Sequence, residues 1–336
     1  MQLGTADRLG RIVPPAEPSP PVAPASGDQS PSATRALTRD AQVAGGSSRS
    51  AGIIETPREP FALRWRYALA RVAFALAYQV LGLRRGVIRG NLERSFPTLD
   101  TAARRLIARE FIARQSQVFA EIDYARHLSE QDLRERVRLL DPTGVLAAAG
   151  PDERRLDLLV GGHQCNFEWL LLRLSLELGP GLVALYKPLR GARAERYFRS
   201  MRTRFGAQML PAKSVTRELG TVRGARALGM VADQVPRTSP ERHWTTFLRQ
   251  PTAFFKGPER LARALRGRIV YVSMRRLGRG RYEIELEPLT PVGARLPNGE
   301  ATERYARAVE RDIDADPAGW WWSHKRWKLK APPGRG

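Results

Sequence analysis

The feature that most constrains the fold is an alternation of short apolar runs with longer amphipathic repeats between residues 100 and 314. Residues 156–160 form an apolar run that ends at a Gly-Gly pair, which is typical of a buried strand. Residues 100–148 are instead predicted to form amphipathic helices, because 101–125 repeat their apolar side chains at helical spacing, as 167–178 also do. Further strands are predicted at 182–186 and 227–232, a hairpin at 268–287, and further helices at 192–205, 255–265 and 302–314. Strands that alternate with helices predict an α/β fold, here a two-layer mixed sheet with flanking helices.

The two ends of the chain have a different composition from this core. Residues 1–58 are rich in proline, glycine and serine, a composition that cannot bury a core and predicts a disordered tail. They contain no apolar stretch of the length that a signal peptide needs. Residues 331–336 are predicted to be a flexible tail. The folded part therefore divides into a helical segment at 59–98 and an α/β domain at 99–330.

The segment 61–83 is apolar, contains aromatic side chains and has arginines at both ends. Its least charged part, 67–83, is slightly shorter than the roughly 20 residues that a membrane-spanning helix requires. Cationic flanks and aromatic side chains favour a helix that lies in, or dips into, an anionic membrane interface. The alternative is a helix buried against the domain. The sequence leaves open whether this predicted membrane anchor spans the membrane.

Charge and cysteine content limit the possible partners and sites. The chain has 56 Lys and Arg residues against 34 Asp and Glu residues, a net charge of +22, so its surface attracts polyanions. Nucleic acid, anionic lipid head groups and an acidic protein all fit that charge. The single cysteine, Cys165, excludes an intramolecular disulfide and a zinc site built on several thiolates. The other histidines, His127, His243 and His324, are scattered along the chain. No metal site is therefore predicted.

The candidate chemistry lies in the stretch that runs from Gly161-Gly162 to Trp169. His163 and Glu168 are five positions apart, about 140° on one continuous helix, so they can pair only if His163 lies in the turn before it. A carboxylate bound to one imidazole nitrogen leaves the other nitrogen as a base. The alternative is a purely structural His and Glu. Cys165 is a second candidate, as a thiol nucleophile, but a small buried side chain is the simpler interpretation.

Several motifs, in order along the chain, resemble one protein family. His163-x-x-Asn166-Phe167-Glu168 is similar to the signature of the lipid A late acyltransferases, within the lysophospholipid acyltransferase-like superfamily. The resemblance runs from about residue 61 to 329. The other matching blocks are Asn91-Leu92 with Phe96-Pro97, Tyr186-Lys187-Pro188, residues 202–206, Asp233-Gln234, Gly257-Pro258 and residues 322–328.

The resemblance implies a fold, a reaction and site residues. The fold would be glycerolipid acyltransferase-like, and the domain at 99–330 would transfer a fatty acyl chain from acyl carrier protein to a hydroxyl of a lipid A precursor. His163 would be the general base with Glu168 as its partner, at the cytoplasmic face of the inner membrane. Neither a cofactor nor a metal is implied, and nucleic acid is not an expected partner. Substrate-binding roles are expected for Asn166, Lys187, Arg202 and Asp233.

Some alternatives remain open beside the resemblance. The acceptor could be another glycolipid, a phospholipid or a polyketide-like lipid, and a basic binding protein without chemistry is the alternative class. Asp233 could orient a reacting group or cap the following turn. Arginines at 193, 196, 199 and 202 could hold phosphates or the carrier protein, or form a solvated face. The terminal run 320–328 is suited to a lipid interface.

Two departures from the family pattern affect the site. Gln164-Cys165 stands where the family has Phe-Gly, so the turn before Asn166 is expected to differ. Lys187 replaces an arginine, which gives a point charge instead of a bidentate fork. We expect these changes to affect the acceptor and the chain length rather than the catalytic residues.

Overall fold

The structure is a computed structural model that describes residues 59–148, 156–218, 220, 224–236 and 241–331. These residues belong to one compact unit, Pro57–Gly336. The predicted tail at 1–58 lies outside the described residues, as does all of the tail at 331–336 except its first residue.

The helices are α1 Phe61–Ala75, α2 Arg85–Ser95, α3 Thr101–Tyr124, α4 Glu130–Arg136, α5 Val145–Ala148, α6 Phe167–Leu178, α7 Ala192–Arg202, α8 Val215–Glu218, α9 Gly257–Ala264 and α10 Glu300–Ala315.

The strands form one large sheet and one separate hairpin. They are β1 Val137–Leu140, β2 Asp157–Gly161, β3 Leu182–Tyr186, β4 Gln208–Pro211, β5 Ala227–Val231, β6 Arg242–Phe247, β7 Gln250–Phe255, β8 Ile269–Gly278 and β9 Arg281–Pro288. The sheet order is β1-β9-β8-β2-β5-β3-β4, and β6 pairs with β7 alone. Neighbours in the large sheet are parallel except for β8 and β9. The predicted α/β fold with a mixed sheet is therefore confirmed.

The large sheet is covered on both faces, so the prediction of two layers is wrong. Side chains alternate between the faces of a strand. In β2, Leu158 and Val160 belong to one buried apolar cluster and Leu159 to another. The first cluster includes side chains of α2 and α10, whereas the second includes side chains of α1 and α6. Apolar periodicity marks the buried stripe of a helix but not the sheet face it covers, which explains the error.

Helix α1 packs along α3 and has two different faces. Leu63 and Tyr67 on its inner side are buried, which agrees with the alternative of a helix packed on the domain. Its outer side exposes a stripe of large apolar side chains at helical spacing: Phe61, Trp65, Leu69 and Val72, continued by Leu76 and Val80 in a π-helical turn. Helices α1 and α2 both lie within the segment 59–98. Among the described residues, no helix has the length and apolar character needed to cross a membrane.

Several short elements were not predicted. β1 falls inside a stretch that was predicted to be helical, and β4 and the β6–β7 hairpin were not predicted at all. Each of these strands is only 4–6 residues long. A run of that length holds too few periods to be distinguished from a helical turn or a loop.

Candidate active site

The parallel register of β2 and β5 brings two distant residues together. Gly161, the last residue of β2, is paired with Val231, the last residue of β5. His163 and Asp233 each follow two positions later. Since the carboxyl ends of parallel strands share one edge of a sheet, both side chains emerge at the same place, where ligands bind in open α/β sheets.

Asp233 holds His163 through both of its carboxylate oxygens. The ring Nδ1 lies 2.5 Å from Oδ1, and the backbone N–H of His163 donates to Oδ2 at 2.9 Å. Trp320 also donates its indole N–H to Oδ2, at 2.8 Å. A carboxylate that accepts from Nδ1 fixes the proton there and leaves a lone pair on Nε2. Asp233 is therefore the orienting partner of His163, and the predicted contact with Glu168 is corrected.

The environment of Asp233 keeps its carboxylate charged. Burial acts to raise the pKa of Asp233, but the charge of His163 and the hydrogen bonds from His163 and Trp320 outweigh it. The net result is a pKa well below the usual range. The side chain is 1% exposed and does not line the cavity, so the expected substrate contact of Asp233 is replaced by an orienting contact.

The second ring nitrogen of His163 faces the cavity. The Gln234 amide nitrogen lies 3.0 Å from Nε2, so it donates to the lone pair there. The rings of Phe167 and Trp321 contact the imidazole edge to face, at 5.2 and 5.8 Å between centroids. Gln234 is exposed and lines the cavity, so a substrate hydroxyl can take its place. The imidazole is fixed on one side and available as a base on the other.

Glu168 binds Arg202 instead of His163. The guanidinium donates two hydrogen bonds to the carboxylate, at 2.9 and 2.5 Å. It also lies 5.1 Å from the centroid of the Phe198 ring. Burial acts to lower the pKa of Arg202, but Glu168 raises it overall. The five-residue spacing placed Glu168 near the histidine but gave no information about Arg202, which is 34 residues further along the chain.

Asn166 caps helix α6 and does not reach the cavity. Its Oδ1 accepts from the backbone N–H of Trp169 at 3.1 Å, and its Nδ2 donates to Glu121 at 2.9 Å. The side chain is fully buried. Both amide atoms are thus used inside the protein, which corrects the expected substrate-binding role.

Cys165 gives the turn its shape. Its φ is 52°, in the left-handed region that favours glycine, and its backbone N–H donates to the carbonyl of Gly319 at 3.0 Å. The departure that was expected at Gln164-Cys165 is therefore found at Cys165. This cysteine has a backbone conformation that a glycine adopts without strain. The thiol is buried, and burial raises its pKa far above the ordinary value, so it is not a reactive thiolate.

A cavity of about 600 Å³ opens at the histidine. His163, Glu168, Lys187 and Arg202 lie on its wall, so the structure brings these four predicted residues together. Most of the remaining wall is apolar and comes from α6, β3, β4 and α9: Leu170, Leu171, Leu174, Leu182, Leu185, Met209 and Leu261. An apolar channel beside a base suits a long hydrocarbon chain whose reactive end lies at the base.

Lys187 on the cavity wall is followed in the chain by further cations, one in the loop after β3 and two in α7. Lys187, Arg190, Arg193 and Arg196 are exposed, and within the described ranges none has a charged or hydrogen-bonding partner. The predicted arginine stripe is divided, because Arg202 turns inward to Glu168. Among the residues that the structure describes, no three His, Cys, Asp or Glu side chains gather as metal ligands would.

The terminal aromatic run contributes to the site in a way that the sequence did not reveal. Trp320 and Trp322 are buried, so their expected place at a lipid interface is wrong. Trp320 binds Asp233 and Trp321 contacts the His163 ring. Nothing in the spacing of this run indicates a contact with residues so far away in the chain.

The family model described as Bacterial lipid A biosynthesis acyltransferase matches residues 59–329, which is most of the chain. No curated protein matches it.

Proposed function

Since the chain belongs to the bacterial lipid A biosynthesis acyltransferase family, we propose that it moves a fatty acyl chain from acyl carrier protein to a hydroxyl of a lipid A precursor. The observation that carries this proposal is the His163–Asp233 pair at the edge of an apolar cavity. The pair supplies a base for the hydroxyl, and the cavity accommodates the chain.

The reaction needs one base that later acts as an acid. The acceptor hydroxyl replaces the Gln234 amide at Nε2 of His163 and transfers its proton there, while its oxygen attacks the thioester carbonyl. The tetrahedral intermediate collapses, the carbon–sulfur bond breaks and the new ester forms. The imidazolium then returns the proton to the departing thiolate. Asp233 stabilises the imidazolium in between.

The charged side chains of the cavity have separate roles in this proposal. Lys187 is exposed at the opening and binds a phosphate of the donor or of the acceptor as a point charge. Arg202 is engaged by Glu168, so this ion pair holds the wall beside the base. Arg190, Arg193 and Arg196 attract the acidic carrier protein to the opening.

The exposed face of α1 supports a place at the membrane. Its apolar stripe is accompanied by exposed cations on the same segment: Arg64, Arg71, Arg84 and Arg85. An apolar face beside cations binds an anionic bilayer surface. We propose that α1 lies in the cytoplasmic face of the inner membrane, where the acceptor lipid reaches the cavity.

The test is a transfer assay on anionic vesicles that contain a lipid A precursor. Donors are radiolabelled acyl carrier proteins of increasing chain length and the matching acyl-coenzyme A thioesters. We expect label on the lipid A precursor, with carrier protein the better donor. His163→Ala should lower the rate by at least about 100-fold, as the loss of a general base does.

Three other results would change the proposal. Label on a phospholipid or another glycolipid instead would keep the chemistry and replace the acceptor. If acyl-coenzyme A thioesters were used as well as the acyl carrier proteins, the proposal that carrier protein is the donor would be rejected. Wild-type activity in His163→Ala would contradict the assigned base.

A further inference from the structure

A buried carboxylate outside the cavity joins four parts of the fold. Glu121 lies on α3 and is 0% exposed. Its Oε1 accepts from the Tyr67 hydroxyl at 3.0 Å and from the Gly280 N–H at 3.1 Å. Its Oε2 accepts from Asn166 Nδ2 at 2.9 Å and from the Tyr282 hydroxyl at 2.6 Å. The carboxylate thus links α1, α3, the β8–β9 hairpin and the turn that carries His163.

Two of the contacts of Glu121 fix the start of α6. Besides the side-chain bond to Asn166, the backbone carbonyl of Glu121 accepts from the Trp169 indole N–H at 3.0 Å. Asn166 is the N-cap of α6, and Trp169 supplies the backbone N–H that it caps. Glu121 therefore holds both partners of the cap, one through its side chain and one through its backbone.

The location of this cap gives Glu121 a functional consequence. His163 lies three residues before Asn166, and Glu168 lies two residues after it. From the contacts of Glu121 with the cap, we infer that Glu121 is a positioning residue for acyl transfer, which holds His163 against Asp233 and Glu168 against Arg202. This inference rests on the proposed function, because it assigns Glu121 a role in the same site.

The chemistry of the four donors explains why a carboxylate is needed. Gly280 N–H and Asn166 Nδ2 can only donate, and each faces a different oxygen of Glu121. A glutamine would place its NH2 group against one of them in either orientation. Burial raises the pKa of Glu121 overall, although the hydrogen bonds from Tyr282, Asn166 and Tyr67 act to lower it.

The same geometry provides a rescue experiment. Glu121→Gln sets two donors against each other at either Asn166 or Gly280, and Asn166→Asp sets two carboxylates against each other. The double variant Glu121→Gln/Asn166→Asp restores one donor and one acceptor. In it, the NH2 group of the introduced amide points at the introduced carboxylate, and the amide oxygen still accepts from Gly280. An aspartate at the N-cap also remains able to cap α6.

We expect each single variant to lower kcat by about 10-fold to 100-fold, as displacements of about 1 Å at an active site do. KM should stay within about threefold, because Glu121 and Asn166 do not line the cavity. The double variant should recover most of kcat. A folded double variant with kcat no higher than either single variant would overturn the inference, even if Glu121→Gln alone failed to fold.

Tyr67→Phe and Tyr282→Phe are the matched controls. Each removes one hydrogen bond to the same carboxylate but leaves the bond to Asn166 in place. We expect them to shift the urea midpoint as far as Asn166→Asp does, while kcat stays within about threefold of wild type. If kcat followed the urea midpoint across all variants, the role of Glu121 would be purely structural and the inference would be wrong.

A spectroscopic readout separates this inference from the proposed function. The ¹⁵N signals of the His163 ring report the Nδ1–H bond to Asp233 whether or not acyl transfer is detected. We expect this bond to be disturbed in Glu121→Gln and restored in the double variant. Absence of transfer by wild type would reject the proposed function, whereas an unchanged His163 signal in Glu121→Gln would reject the positioning role.

Discussion

Three groups hold Asp233 and His163 in one arrangement at the residue scale. The carboxylate accepts hydrogen bonds from the imidazole Nδ1–H, the His163 backbone N–H and the Trp320 indole N–H. A buried carboxylate with three donors has little freedom to rotate, so the imidazole that it binds is fixed as well. The catalytic base of the proposed reaction is therefore preorganised before any substrate enters.

The contributions of Glu168 and Arg202 to the free energy of unfolding are predicted to be coupled. Arg202→Met leaves the buried Glu168 charge without a partner and should destabilise the protein by about 3 kcal/mol. The double variant Glu168→Gln/Arg202→Met should be more stable than Arg202→Met alone, as measured by urea denaturation. If the free energies lost in Glu168→Gln and in Arg202→Met simply added up to the loss in the double variant, the pair would not be coupled.

The Cys165 thiol is predicted to be dispensable for transfer. It is buried and its pKa is raised, so it cannot attack a thioester at neutral pH. Cys165→Ala should keep kcat within about threefold of wild type, which is less than about 1 kcal/mol in the barrier. A loss as large as that of His163→Ala would instead indicate a covalent acyl-cysteine intermediate.

Helix α1 presents two faces with different roles at the element scale. The inner face packs on α3 and provides Tyr67 to Glu121, and the outer face exposes its apolar stripe. Leu69 is 70% exposed, so a charge there costs little in folding. The same charge would face lipid in the proposed membrane-bound state.

Leu69→Glu is therefore predicted to weaken binding to anionic vesicles by about 10-fold, the factor for one large apolar side chain removed from lipid. Cosedimentation measures the binding, and thermal unfolding should be unchanged. Val292→Glu, at an exposed apolar residue outside α1, is the control and should bind like wild type. If Leu69→Glu and Val292→Glu bound vesicles equally well, α1 would not be part of the membrane contact.

The elements differ in how well the sequence predicted them, and the reason is physical. The bounds of α6 and β3 match the prediction, since glycines and prolines mark their ends. The register of β2 against β5 has no such local marker. The sequence therefore placed His163 and Asp233 at strand ends without showing that these ends are neighbours. The contacts of Glu121 were missed for the same reason, because its partners lie 45 or more residues away in sequence.

Charge decides association at the scale of the whole molecule. The net charge of +22 is spread over the chain, and Lys187 on the cavity wall is followed by exposed cations in the next loop and in α7. Long-range attraction raises the rate of encounter with an acidic partner and weakens with salt. The proposed function assigns that attraction to the acidic carrier protein.

Arg193→Glu/Arg196→Glu is predicted to raise KM for acyl carrier protein by about 10-fold at low salt and less at high salt. KM for an acyl-pantetheine thioester, which lacks the acidic protein, should change little. Arg105→Glu/Arg109→Glu carries the same change of charge on exposed residues of a different helix, α3. If that control raised KM as much, net charge and not α7 would govern donor binding.

The measurement that tests the account most directly is steady-state transfer by Asp233→Asn, with acyl carrier protein as donor and a lipid A precursor on vesicles as acceptor. An asparagine can no longer stabilise the imidazolium or hold the Nδ1–H tautomer by charge. The account predicts that kcat falls by at least about 100-fold while KM stays within about threefold. A variant that transfers within a few fold of the wild-type rate, while His163→Ala is inactive, would contradict the assignment of Asp233 as the partner of the base.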